Sequence, residues 1–234
     1  MSASRPISII IPVLDAAPVL AEALASLQEL RARGNEVIVV DGGSRDNSLA
    51  VARKAADRVV MSGASRALQW NTGADYARHE VLLFLNVDSR LPPQADMLVA
   101  EALQPQAARW GRFDLRLDSP RPVYRLVERV INMRSHVSGI ATGEQALFVE
   151  REYFERVGCF DRIAHMEDVA FSRKLLHFAR PQRITTPVLA SAGRWERDGV
   201  LRTALLLGRL RLAFALGADP DRLAVLHRGG DGEV

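Results

Sequence analysis

"EVIVVDGGSRDNSLAVARKAADRVVM", residues 36–61, outlines a strand, a helix and a second strand. Residues 36–40 and Arg58–Met61 are short β-branched runs, and Ser48–Ala55 between them carries a helical pattern. A run that is apolar at consecutive positions is covered on both faces, as strands of a parallel sheet are. The same units recur on either side. Ile7–Val13 and 81–85 read as buried strands, and 19–31 and 64–78 as helices. Strands alternating with helices of this length predict βαβ units and a parallel sheet, hence an α/β domain.

The second half changes character. "GRFDLRLD" (111–118) alternates strictly, with Phe113, Leu115 and Leu117 against Arg112, Asp114, Arg116 and Asp118. That pattern predicts one half-buried strand, antiparallel or at a sheet edge. Residues 121–137 follow as a helix opened by Pro122, with a stripe of Val123, Leu126, Val127, Val130 and Ile131. A short strand is expected at 145–149 and a helix at 169–178. Two more helices are expected at 200–216 and 219–227, the last opened by Pro220.

The chain has 234 residues with a formal net charge of +3, most of its base being Arg. That mild excess suits anionic small molecules or an anionic surface, and no aromatic-basic interleaving points to nucleic acid. Cys159 is the only cysteine, so intrachain disulfides and Cys-based zinc sites are excluded, which fits a reducing compartment. The N-terminal apolar run is too short for a signal sequence, and no stretch offers the roughly 20 apolar residues of a spanning helix. A cytoplasmic protein is expected, with peripheral contact at the inner face of the membrane as the variant.

In open parallel sheets ligands sit beyond the carboxyl ends of the strands. Pro12, Val13, Leu14 and Asp15 follow the first strand, Asp41-Gly42-Gly43-Ser44 the second, and Asn86-Val87-Asp88-Ser89 the fourth. Two carboxylates, Asp41 and Asp88, therefore project onto one rim. "IPVLDAAPVL" (11–20) contains no glycine, which removes the dinucleotide-binding turn, and no Walker motif is present. A phosphate bound here needs a cation in place of a glycine loop, with Asp88 as the candidate ligand. Taken alone, Asp88 reads equally well as a turn or cap residue, and Asp41 before two glycines as turn chemistry.

Five segments in order resemble the motifs of family 2 glycosyltransferases, inverting enzymes of the GT-A fold. They are "ISIIIPVLDAA" (7–17), "EVIVVDGGSRDNS" (36–48), "SRALQWNTGADYARHEVLLFLNVDSRLP" (65–92), "GEQALFVERE" (143–152) and "MEDVAFSRKL" (166–175). A bacterial subgroup that also carries "GRFD" and "RW-x-R-x-G" segments is the nearest likeness. The resemblance implies a Rossmann-related mixed sheet flanked by helices, over residues 1–196. It comprises a nucleotide-sugar half (1–105) and an acceptor half (106–196), with a C-terminal helical extension at 197–234. Donor contacts fall on Pro12, Leu14, Asp41, Arg66, Asn71, Asn86 and Val87. Asp41 is implied to read the nucleotide base, with Leu14 as an apolar platform beside it. Asp88 matches the metal-binding carboxylate of the D-x-D element, for Mn²⁺ or Mg²⁺. Asp168 matches the catalytic base, with Glu167 beside it. Gly143, Glu144, Gln145, Arg194 and Trp195 fall on the acceptor and leaving-phosphate side.

Elementary chemistry agrees with that division. A departing diphosphate gains negative charge, which a divalent metal and a nearby Arg stabilise. The acceptor hydroxyl needs one carboxylate to take its proton. Direct displacement with inversion then requires no second carboxylate as nucleophile. The sequence departs from its relatives at Asp15, Ala16, Gly42 and Asn86, which makes the donor rim more neutral and weakens the expected metal site. Asn86, Ala16 and Gly42 also motivate an alternative, a nucleotide-sugar-binding or regulatory protein without catalysis. The expected partners are a nucleoside diphosphate sugar and a sugar or lipid-type acceptor, with a UDP-sugar as default donor and GDP-mannose as the alternative. Asp46 or Asn47 is expected to cap a helix, His165 to be structural, and Trp70 and Trp195 to be core aromatics taken alone. Helix 200–216, apolar over most of its circumference, wants cover from the domain and then from a dimer partner or a membrane surface.

Overall fold

The computed structural model describes residues 5–104 and 109–229, so the division placed at residue 105 falls outside them. Four parallel strands form the first half of the sheet: β1 (Ile7–Val13), β2 (Glu36–Asp41), β3 (Arg58–Met61) and β4 (Val81–Phe84). Around them run α1 (Ala17–Ser26), α2 (Gln28–Ala32), α3 (Ser48–Ala55) and α4 (Arg66–Tyr76). The helix expected over 19–31 is thus two pieces meeting at Leu27, whose amide bonds back to Leu24. Next come β5 (Ser89–Arg90), α5 (Ala95–Ala102), β6 (Trp110–Leu117) and α6 (Pro122–Ser138). A 3-10 turn (Gly143–Gln145), β7 (Phe148–Glu150), α7 (Arg151–Arg156), α8 (Glu167–Leu176), β8 (Gln182–Ala190), α9 (Gly193–Asp198), α10 (Val200–Ala215) and α11 (Pro220–Gly229) complete the chain. The eight strands lie in the order β3-β2-β1-β4-β7-β6-β8-β5, a mixed sheet in which β7 runs antiparallel to both β4 and β6.

Consecutive apolar residues of β1 serve opposite faces, as the period of two requires. Ile9 and Ile11 join Leu20, Leu24 and Ala52 on one face. Ile10 joins Ala67, Trp70 and Ala74 of α4 on the other. There Phe160 stacks within 4.9 Å of Trp70, 4.8 Å of Phe84 and 4.2 Å of Phe171. Gly73 lets α4 lie close on the sheet, since a Cβ there would meet Ile10 Cγ2 at 2.3 Å. Gly73→Ala is expected to cost about 1–3 kcal/mol, the range for forcing a methyl into a filled core. Urea denaturation checks this, and an unchanged midpoint would count against the packing described.

β6 corrects the expectation for 111–118. It is antiparallel to β7 at one end, as expected, but it pairs with β8 along its length and is buried throughout except at Arg116 instead of half-buried. Two of the four alternating charges, Arg112 and Asp114, do not face water. Arg112, 1% exposed, donates to Asp114 Oδ1 at 2.8 Å, and Arg183 of β8 reaches Asp114 Oδ2 at 2.7 Å. A register shift between Phe113 and Asp114 accompanies this cluster. A buried ion network satisfies the same alternation as a solvent face, so period alone could not separate them. The strand expected at 145–149 is the 3-10 turn followed by β7, and β8 lies where no strand was expected.

α6 also differs from its sequence reading. Its inward face is Tyr124, Glu128, Ile131 and Ser135. Where β6 runs past the end of β7, the Leu115 amide donates to Asn132 Oδ1 and the Leu117 amide to Glu128 Oε1, both at 2.8 Å. Helix side chains thus close an unpaired strand edge, which buried amides demand. Val123, Leu126 and Val130, read as part of the packing stripe, point outward and are exposed.

Candidate active site

The first two rim loops are laced together. Asp15, at φ 48°, accepts from the amides of Arg45 and Asp46, while the Asp15 and Ala16 amides donate to Ser44 Oγ and Ser48 Oγ. Asp46 bonds the amides of Ala17 and Ser48 and is structural, whereas Asn47 makes no side-chain cap. Within this frame Asp41 is 1% exposed. Its Oδ1 accepts from the amides of Gly43 and Ser44, but Oδ2 is buried without a hydrogen-bond partner. An orphaned buried acceptor costs roughly 1–3 kcal/mol, which a donor on a ligand would recover.

Pro12, Leu14, Asn86, Val87, Asp88 and Arg66 come together around one open cleft. Leu14 is 49% exposed there, and Asn86 Oδ1 is a second buried acceptor without a partner. Gln69, which the sequence reading passed over, lines the same cleft and donates through Nε2 to Val13 O and Val40 O, tying β1 to β2. It also explains Gly42, where a Cβ would stand 3.1 Å from Gln69 Nε2. Its only advance signal was a polar side chain one turn before the close-packed Gly73. Asp88 opens onto the cleft, yet the protein around it and the charge of Asp118 raise its carboxyl above the ordinary value. Asp118, also unforeseen, accepts from the Ala192 amide and lines a second hollow that Asp88 shares.

A pocket holding Asp168, Gly143, Glu144, Thr142 and Arg194 adjoins that cleft, and Arg66 lines both. Met166, in the left-handed region at φ 65°, turns the chain into α8 immediately before Glu167-Asp168. Non-glycine residues hold that conformation only where surrounding structure enforces it. Asp168 Oδ2 accepts from the Gly143 amide and Oδ1 from the Val169 amide, each at 2.7 Å. Ser172 fastens α8 to the same loop by bonding both the amide and the carbonyl of Ala141. Gly143 leaves room between Trp70, Arg66 and Asn86, a Cβ there meeting Trp70 at 3.0 Å.

Arg66 forms an ion pair with buried Glu167 and stands 5.1 Å over the Trp70 ring. Burial works against the cation, but the charges of Glu167, Asp168 and Glu144 outweigh it and its pKa is raised. Glu167 lines a third hollow with His165 and Arg66. Burial raises the Glu144 carboxyl, as do the nearby charges of Asp88 and Asp168. Burial lowers the His165 imidazole, favouring its neutral form.

Three residues expected at the ligand are used otherwise. Asn71 bonds both the carbonyl and the amide of Phe160 and so anchors the aromatic cluster. Gln145 is fully buried, accepting from Ser135 Oγ and the Thr142 amide. Trp195, 4% exposed, packs in the core while its neighbour Arg194 reaches the pocket.

The model of glycosyl transferase family 2 matches residues 8–156, well over half of the chain. The chain belongs to glycosyl transferase family 2. No curated protein sequence matches it significantly. Among solved structures, the 1–349 region of S. aureus TarS superposes on this chain with a TM-score of 0.65 at 18% identity. That match covers 81% of this chain and 61% of the other, so this chain spans about three-fifths of that relative's length. A Pyrobaculum calidifontis mannosyltransferase solved with GDP-Man and Mn²⁺ gives a TM-score of 0.59 at 22% identity, covering 96% and 68%. The Mycobacterium tuberculosis glucosyl-3-phosphoglycerate synthase, solved with Mn²⁺, UDP and glucosyl-3-phosphoglycerate, gives 0.60 at 16% identity, covering 80% and 71%. The mixed sheet flanked by helices is thus the GT-A fold. No helix among the described residues is long and apolar enough to cross a membrane.

Proposed function

We propose that the family 2 transferase moves a sugar, with inversion, from a nucleoside diphosphate sugar to an acceptor hydroxyl. The transfer domain would be residues 1–196, and 197–234 the helical extension. The observation that carries this is the shared wall formed by Arg66. On one side lie the strand-end residues Pro12, Leu14, Asn86 and Asp88, and on the other the Asp168 pocket. A donor in the cleft would put its anomeric carbon near that junction, its diphosphate beside Arg66 and Asp88. The nucleobase would give a hydrogen bond to Asp41 Oδ2. The acceptor oxygen would attack the anomeric carbon as its bond to the diphosphate breaks, its proton passing to Asp168. The amides of Gly143 and Val169 hold that carboxylate in place for the transfer.

Among the described residues no group of three or more His, Cys, Asp or Glu side chains stands ready to hold a metal. The residues present suit an Mg²⁺ or Mn²⁺ that arrives with the nucleotide, since such ions take one or two carboxylates and complete their shell from phosphates and water. Asp88 would supply the carboxylate, and the ion would stabilise charge on the departing diphosphate. A cation there also relieves the repulsion between Asp88 and Asp118. UDP is the default donor nucleotide, with GDP as the alternative. The neutral Asn86 favours the second reading, a binding protein without catalysis, but such a protein has no use for a carboxylate held as Asp168 is.

Melting curves of the protein with UDP, GDP and CDP, each with and without Mn²⁺, test the donor site. A nucleotide at 100 times its Kd stabilises by about 2.7 kcal/mol. One nucleotide is expected to do so, and more strongly with the ion. Stabilisation indifferent to Mn²⁺ would remove Asp88 from its role, and no response to any nucleotide would overturn the proposal.

A further inference from the structure

The apolar clusters on the two faces of the sheet include neither Met166 nor Val169, the residues that bracket Glu167-Asp168. Both belong to a third cluster, whose other buried members are Leu210 of α10 and Leu223 of α11. Leu206, Ala213, Phe214, Ala218 and Ile140 pack around these four. Apart from Ile140, every other described member lies on α10, on α11 or in the turn between them. Phe214 also lies under the Arg173 guanidinium, 5.2 Å from it, which ties α10 to α8 a second time. The C-terminal helices thus pack on the turn that presents the carboxylate of Asp168.

Met166 is the residue that needs such cover. At φ 65° it holds a conformation that L side chains disfavour and keep only where packing over-determines it. The polar contacts of this region lie elsewhere. Asp168 accepts from the Gly143 and Val169 amides, and Ser172 bonds both backbone groups of Ala141. These join α8 to the neighbouring loop, but none of them grips the Met166 side chain, whose surroundings are apolar. Ile140 stands on that same loop, three residues before Gly143. One cluster therefore clamps both parties to the Gly143–Asp168 hydrogen bond.

We infer that Leu210 and Leu223 are positioning residues, which hold Met166 in its left-handed turn and so keep the Asp168 carboxylate on the Gly143 amide. This rests on the reading of Asp168 as the base, and it makes the C-terminal helices serve that base. Helices that were merely docked on the domain would lower its stability when cut back, without touching the bond between Gly143 and Asp168.

Hydrogen exchange of the Gly143 amide, read by NMR against the amides of β1, reports the placement of that carboxylate without a substrate. In Leu210→Ala and in Leu223→Ala this protection ratio is expected to fall about tenfold, the factor by which an unsupported left-handed residue is disfavoured. Leu30→Ala removes the same side chain from the main core, and should lower the melting temperature while leaving the ratio as in the wild type. Leu210→Met refills the volume and should keep the ratio. Release of nucleotide from UDP-glucose or GDP-mannose, with water in place of the acceptor, should fall with the ratio in the alanine variants. The melting shift given by UDP or GDP alone should be retained in them. An unchanged ratio in a folded alanine variant, an equal fall in Leu30→Ala, or wild-type release at a lowered ratio would overturn the inference. Nucleotide stabilisation with an unmoved ratio leaves the transferase and removes this role. A lowered ratio without response to any nucleotide keeps the coupling of the C-terminal helices to Asp168 and removes the transferase reading.

Discussion

Asp168→Asn is expected to lower kcat by about 10²–10⁴-fold, the range for loss of a general base, while the stabilising nucleotide still raises the melting temperature. The carboxylate accepts from the amides of Gly143 and Val169 and otherwise lines the pocket where an acceptor would enter. An amide side chain keeps the volume and one acceptor but cannot take a proton. It also turns an NH₂ toward one of the two backbone donors, so a stability loss of about 1–3 kcal/mol accompanies the change. Measured turnover under donor saturation separates the two effects. Turnover within tenfold of the wild type would remove Asp168 as the base and turn attention to Glu144, whose raised carboxyl faces the same pocket.

Arg66→Met is expected to act on both turnover and stability. In the proposed reaction Arg66 lies beside the leaving diphosphate, and loss of that cation would cost about 10²–10³-fold in kcat, by analogy with removal of a single oxyanion donor. The same change strands Glu167, whose side chain is 2% exposed, without its partner. Breaking a fully buried pair costs about 3–5 kcal/mol. Arg66 keeps 37% of its side-chain surface exposed, so a smaller loss, about 2–3 kcal/mol, is expected after allowing for solvent screening. The double variant Arg66→Met with Glu167→Gln should regain much of the stability, because the stranded charge is gone, and none of the turnover. Denaturant melts and initial rates on the three proteins decide this. Recovery of turnover in the double variant would mean that Arg66 serves only to neutralise Glu167.

The rim was legible because its residues follow directly on strands that the chain advertises. Pro12, Leu14, Asp41, Asn86 and Asp88 each sit at or just beyond the end of a continuous apolar run, and parallel strands carry their ends to one side of the sheet. Asn71 and Gln145 belong to the same motifs yet serve Phe160, Ser135 and Thr142. Nothing local tells an amide that binds a ligand from one that binds backbone, since both need only a donor and an acceptor at hand. Gln69 and Asp118 were invisible for the converse reason, their partners at Val13, Val40 and Ala192 being distant in sequence.

Sequence alone determined the βαβ half and the gathering of its strand-end residues on one rim, and it named Asp168 and Asp88 as candidates for base and metal ligand, because those follow from local periodicity and from motifs in order. Tertiary structure decided the rest. It buried β6 by pairing Arg112 and Asp114 with Arg183, and it set α6 on the sheet by Glu128 and Asn132 together with Tyr124, Val127 and Ile131, leaving Val123, Leu126 and Val130 outside. A hydrophobic stripe records that a surface avoids water without saying what covers it, and an alternating charge records only that it needs a partner. Which partner is a matter of which distant segments meet, and that is settled by the sheet order and by strand edges that must be closed.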